Sequence, residues 1–165
     1  MDERVANSSR YEYESILHDI EVDQSGRTDV LSDDTILAFS DDIQAAILIP
    51  TEVKRQCYQQ LKATGLRKRL IGIRLFAAGL ILLLRPYVAT LELITVDQEY
   101  EGWEPTIKEH LLRHLRGECP DLTSQQIIFQ RIGKGAQAHS VALATYRGDR
   151  EPNQRIGVRE LLAVC

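Results

Sequence analysis

Between Leu70 and Leu84 the chain is strongly apolar, interrupted by Arg74 and stopped by Arg85-Pro86. A helix that is apolar on nearly all sides cannot rest on a surface, so it must be covered by a sheet on one side and by other helices elsewhere. The run is shorter than the ~20 residues needed to cross a bilayer. It therefore reads as a buried core helix, predicted over Arg69–Leu84, and the chain must supply a sheet to cover it. With 165 residues the chain fits one domain, 1–165, with a single core. Hydrophobic residues at 44% and charged residues at 27% suit an ordinary globular protein.

The sheet is legible around that helix. From Tyr11 to Val22, residues Ile16, Ile20 and Val22 share one parity, and Leu17, Asp19, Glu21 and Asp23 share the other, as in a half-buried strand. Gln24-Ser25-Gly26-Arg27 reads as a turn. Thr35–Phe39 and Ile43–Ile49 follow as strands joined at Ser40-Asp41-Asp42, completing an antiparallel meander. Pro50-Thr51 opens a helix with Thr51 as its expected N-cap, and Gly65 ends or kinks it. Thr90–Asp97 is the fourth strand, Pro105–Arg116 an amphipathic helix, Gln126–Ile132 the fifth strand, and Ala136–Tyr146 a further helix before a short segment at Val158–Val164. Residues 1–10 read as a frayed terminus. The result is an α/β fold: three antiparallel strands, then alternating helix and strand, forming a mixed sheet with helices on both faces.

Two apolar runs in this scheme end alike, in Val22-Asp23-Gln24-Ser25-Gly26 and in Val96-Asp97-Gln98-Glu99. Strands that each deliver a carboxylate at their ends can bring both to one divalent ion. The element order, with acids at these places, resembles the ribonuclease H-like superfamily of nucleases, integrases and Holliday-junction resolvases, from about Tyr11 to Tyr146. In that superfamily an aspartate of the first strand lies beside an acid ending the fourth. The last helix adds a third group, a histidine in Argonaute slicer domains and in the nuclease domain of bacterial excision repair. The resemblance implies Asp23, Asp97 and His139 as the matching positions, with Glu99 competing with Asp97, and Asp19 and Glu21 competing with Asp23.

Phosphodiester hydrolysis needs an activated water, a neutralised scissile group and a stabilised leaving oxygen, which two hard cations roughly 4 Å apart can supply. Such ions prefer oxygen ligands. The expected function is thus Mg²⁺- or Mn²⁺-dependent cleavage of DNA or RNA. Asp23, Asp97, Glu99 and His139 would be the ligands, and Lys134, between Gly133 and Gly135, would meet a phosphate. Each residue also has an ordinary reading. Asp-x-Ser-Gly is good turn chemistry, Asp97 can be a loop acid, His139 a packed residue near Leu143 and Tyr146, and Lys134 part of a plain strand-to-helix turn. The rival function is a non-catalytic module of the same fold that binds a nucleic acid or a protein.

The net charge of −4 does not advertise nucleic acid, yet Lys54, Arg55, Lys62, Arg67, Lys68, Arg69 and Arg74 cluster. They form either a substrate-facing surface or a solvated helix face. His110 and His114 have a chelating spacing with only Cys119 nearby, and a solvated helix face is the plainer reading. Tyr87, Tyr100 and Trp103 can stack on bases or simply pack. The three cysteines, Cys57, Cys119 and Cys165, are scattered, which argues for reduced thiols and a cytoplasmic setting. No membrane association is expected, and cleavage of a branched junction would call for a homodimer.

Overall fold

A computed structural model describes residues 17–165 of the chain. The terminus expected to fray over residues 1–10, and residues 11–16 of the strand expected from Tyr11, lie outside the described residues. Along the chain run β1 (His18–Ser25), β2 (Thr35–Ser40), β3 (Gln44–Ile49), α1 (Thr51–Ala63), α2 (Lys68–Leu84), β4 (Leu91–Asp97), α3 (Glu104–Leu115), β5 (Ile127–Gln130), α4 (Gln137–Tyr146), β6 (Gln154–Arg155) and α5 (Val158–Ala163).

The strands form one six-stranded mixed sheet in the order β5-β4-β1-β2-β3-β6. The β1–β2 and β2–β3 pairs are antiparallel, whereas β1–β4, β4–β5 and β3–β6 are parallel. The apolar helix α2 lies where its composition demands. Its residues Leu75, Leu80 and Leu84 are fully buried, in the core that Ile20, Val22, Leu37, Phe39 and Ile94 present from one face of the sheet. The other face carries a smaller cluster in which Val141 and Ala142 of α4 meet Ile36, Ala38, Ala46 and Leu48. Covered on both sides, β2 is buried at every residue.

The structure alters the expected boundaries in ways that bear on function. β1 continues through Asp23, Gln24 and Ser25, which pair with Ala38, Leu37 and Ile36. The turn therefore starts at Gly26, and Asp23 lies inside the strand rather than at its end. At Gly26 φ is +76° and an added Cβ would fall 2.1 Å from the Asp34 carbonyl oxygen, so the tight exit from β1 requires glycine there. Thr51 is the first residue of α1 rather than its cap. The Asp34 carboxylate accepts from the Thr51 amide at 2.8 Å and from its hydroxyl at 3.0 Å, doing the work of an N-cap from a neighbouring loop. Two residues pair as β6 along the outer edge of β3, a strand too short to leave a periodic signal. The segment after it forms α5.

Candidate metal centre

Parallel pairing sets Val22 opposite Val96. The next residues on each strand are Asp23 and Asp97, and in a parallel pair residues in register point to the same face. Asp23, Asp97 and Glu99 each offer a carboxylate oxygen, and these atoms all lie within 4.8 Å of one another. The two strand-end acids read from the sequence thus meet, with Glu99 just beyond β4. Asp19 and Glu21 share Asp23's parity but are exposed further back on β1.

His139 enters from the first turn of α4, its Nδ1 2.8 Å from Asp23 Oδ2. It is no core histidine, since its side chain keeps 33% exposure while Asp23 keeps 6%. His139 is outside the mutually close trio and adjoins it through Asp23. Asp23 Oδ1 accepts from the Gln24 amide at 2.8 Å, and Asp97 Oδ1 accepts from the Ile132 amide at 2.7 Å. The Asp23 and Asp97 carboxylates are therefore held in place by backbone donors and a ring nitrogen rather than by long flexible cations.

Their electrostatics are those of crowded like charges. Burial raises the Asp23 carboxyl above its ordinary value, against the lowering effects of His139 and the Gln24 amide, and Asp97 adds to the rise. Burial, and then Asp97 beside it, push Glu99 up to about 7, with Arg27 opposing. Arg27 Nη1 lies 3.4 Å from Glu99 Oε2, while its Nε donates to Asp29 at 2.9 Å. The donor set is chemically suited to a hard divalent ion: three carboxylates offer oxygen ligands, against one neighbouring cation, Arg27.

Arg27 was not legible as a site residue, because in the sequence it is one more polar turn residue. It is aimed by the loop between β1 and β2. Thr28 donates to the Gly72 carbonyl at 2.9 Å and shares a 2.7 Å hydrogen bond with the Tyr100 hydroxyl. Gly72 lets this loop approach α2, since a Cβ there would come 2.7 Å from Asp29 Cβ. Lys54 closes the arrangement from below. Its side chain is fully buried, and Nζ donates to the carbonyls of Arg27 and Val30 at 3.2 and 2.6 Å and to Thr35 Oγ1 at 3.0 Å. Burial lowers its pKa to about 8.

Lys54 therefore leaves the basic cluster expected to face substrate. Its side chain points from α1 into the protein because three loop and strand oxygens await it there. The rest of that cluster also divides. Arg55 donates to the Leu31 carbonyl at 2.9 Å, and Lys62 Nζ stands 6.0 Å from the Tyr58 ring centre. Arg74 lines a groove between α2 and α3, whereas Lys68 and Arg69 line a separate cavity of about 680 Å³ that Glu99 also borders. Lys134 sits exposed on the turn before α4 and joins no hydrogen bond or ion pair with the trio among the described residues. Tyr100 packs on Phe76, with ring centres 4.8 Å apart, and Tyr87 meets Phe39 edge-on at 5.0 Å. Both aromatics are packing residues. His110 Nε2 lies 2.6 Å from the Val164 carbonyl, and among the described residues neither it nor His114 belongs to a cluster able to hold a metal.

A second such cluster went unseen in the sequence. His18 Nδ1 lies 3.2 Å from Asp41 Oδ2 and 2.6 Å from Asp42 Oδ1, and the three side chains offer mutually close ligand atoms. The meander itself carried the signal, because antiparallel pairing of Glu21 with Ser40 brings the start of β1 beside the Asp41-Asp42 turn.

All three cysteines are free thiols, and no helix among the described residues is long and apolar enough to cross a membrane. Comparison with protein-family models, with curated proteins and with solved structures gave no match for this chain.

Proposed function

We propose that the chain is a ribonuclease H-like nuclease that hydrolyses phosphodiester bonds of DNA or RNA with Mg²⁺ or Mn²⁺. The observation that carries this reading is the convergence of Asp23 within β1, Asp97 at the end of the paired strand β4 and Glu99 just beyond it, whose ligand atoms lie within 4.8 Å of one another. The sheet order from β3 through β2, β1 and β4 to β5 supports the same reading, as does a last helix that brings His139 to Asp23.

Asp23, Asp97 and Glu99 would hold the cation. Bound there, it would supply an activated water and charge neutralisation at the scissile phosphate. His139 orients the Asp23 carboxylate through Nδ1, and its part-exposed imidazole faces solvent beside the trio. The Gln24 and Ile132 amides fix the carboxylates of Asp23 and Asp97, limiting the reorganisation needed when a ligand arrives. Arg27 neutralises part of the Glu99 charge.

Asp97→Asn keeps the amide contact and the shape but removes a charge from the trio. It should lower Mn²⁺-dependent cleavage of a labelled oligonucleotide by at least about a thousandfold, without a change in circular dichroism. Cleavage at the wild-type rate would refute the proposal. A second reading, a non-catalytic module of this fold, is favoured by the Arg27–Glu99 pair, because a built-in cation beside the carboxylates partly does the work of a metal. That reading gains if the wild-type protein binds Mn²⁺ and cleaves nothing.

A further inference from the structure

The cavity beside the trio joins three cations to the candidate site. Lys68 and Arg69 enter it from the first turn of α2, Arg27 from the β1–β2 loop, and Glu99 and Gln98 from the end of β4. Its volume of about 680 Å³ falls within the range of roughly 300–1,000 Å³ typical of ligand pockets. Glu99 belongs both to this wall and to the carboxylate trio, so a molecule seated here is adjacent to the acids.

The three cations are not equivalent. Arg27 is pinned by Asp29 and by the Tyr100 ring, whose centre lies 4.6 Å from its guanidinium carbon. Lys68 and Arg69 enter no ion pair among the described residues, and the Arg69 guanidinium carbon lies 6.0 Å from the Trp103 ring centre. Two unpaired cations next to an acidic site are otherwise a source of non-specific attraction, and they gain a partner only from an anionic ligand. As neighbours on a helix they diverge by about 100° around its axis, so they reach separate anionic groups rather than chelating one. A polynucleotide strand supplies such successive negative charges, continuous with a group held at the trio.

We propose that this cavity is the backbone subsite of that strand, with Lys68 and Arg69 contacting phosphates that flank the scissile one and Arg27 facing the phosphate nearest Glu99. The inference rests on the nuclease reading for the position of the cut, but the subsite is tested by binding alone.

The probe is a short fluorescein-labelled single-stranded oligonucleotide, titrated by anisotropy with protein carrying Asp97→Asn so that it stays intact. Lys68→Glu with Arg69→Glu on that background should weaken binding by about 10- to 100-fold. It should also reduce the slope of log affinity against log salt by about 1.4, the value for two phosphate contacts on a single strand. Lys68→Gln with Arg69→Gln, which adds no repulsion, should give the same loss of slope with a smaller loss of affinity. Lys62→Glu, on α1 outside the cavity, should change affinity little. Unchanged affinity and slope in both double variants overturn the subsite, as does failure of the parent protein to bind at low salt. Oligonucleotide binding that depends on Lys68 and Arg69 in a wild-type protein that cleaves nothing would uphold the subsite and remove the nuclease reading. Cleavage with an unaltered KM in the double variants would do the reverse.

Discussion

At its two ends β1 carries two groups of acids with opposite character. The distance from His18 to Asp23 along the strand is about 16 Å, at ~3.3 Å per residue. The group at the start of β1 is open to water: His18 Nδ1 lies against both aspartates, and the Asp42 side chain is 66% exposed. Asp42 is held below its ordinary value, first by Asp41 and then through His18. The group at the other end is sunk between α4 and the loops, and its carboxyls Asp23 and Glu99 are raised. Both groups place three potential ligand atoms together. Only the second withdraws its carboxyls from water far enough to raise their pKa, and that burial, more than the count of carboxylates, distinguishes a candidate centre from a surface ion pair.

The largest difference should appear on adding Mn²⁺. At a concentration about a hundredfold above its dissociation constant, a ligand of the folded state adds about 2.7 kcal/mol, or a rise in Tm of roughly 5–10 °C for a chain of this size. Differential scanning fluorimetry should show that rise in the wild type and in Asp41→Asn/Asp42→Asn, and should lose it in Asp23→Asn/Asp97→Asn. A rise that instead follows the Asp41 and Asp42 substitutions would reverse the comparison.

A smaller effect concerns pH in metal-free protein. Because Glu99 is raised to about 7 when folded, from an ordinary value of 4.5, the folded state binds its proton more tightly. That contribution is complete below about pH 4.5 and disappears as pH rises through 7. Melting in EDTA should therefore show Tm falling from pH 5 to pH 8, by roughly 2–4 °C more in the wild type than in Glu99→Gln. Identical slopes would mean that Arg27 already satisfies Glu99. The least effect is expected at the other group, where Asp41→Asn/Asp42→Asn should leave the metal-free melting temperature nearly unchanged, as exposed ion pairs do.

How far this was legible depended on the range of the interaction. Asp23 and Asp97 could be found because each closes an apolar run on a strand, a signal contained within a few residues. Glu99 followed from its place two positions after Asp97, and His139 from the order of elements. Arg27, by contrast, gains its role from Glu99 and Asp29 through a loop whose path depends on Gly72 and on Lys54. Lys54 was misread for a related reason. A lysine among other basic residues on a helix reads as solvated, and only the packed loop reveals the three oxygens that draw it inside.

Periodicity and turn chemistry, being local, settled that this chain is an α/β protein with a buried central helix, a meander first, and an acid after each of two apolar runs. The tertiary structure decided the parallel register that sets Asp23 beside Asp97, the burial that raises Asp23 and Glu99, and the division of one basic stretch into a buried anchor, Lys54, and a cavity wall, Lys68 and Arg69. Charge interactions depend on distance and on exclusion of water, and neither exists for a pair of residues until the chain has closed around them.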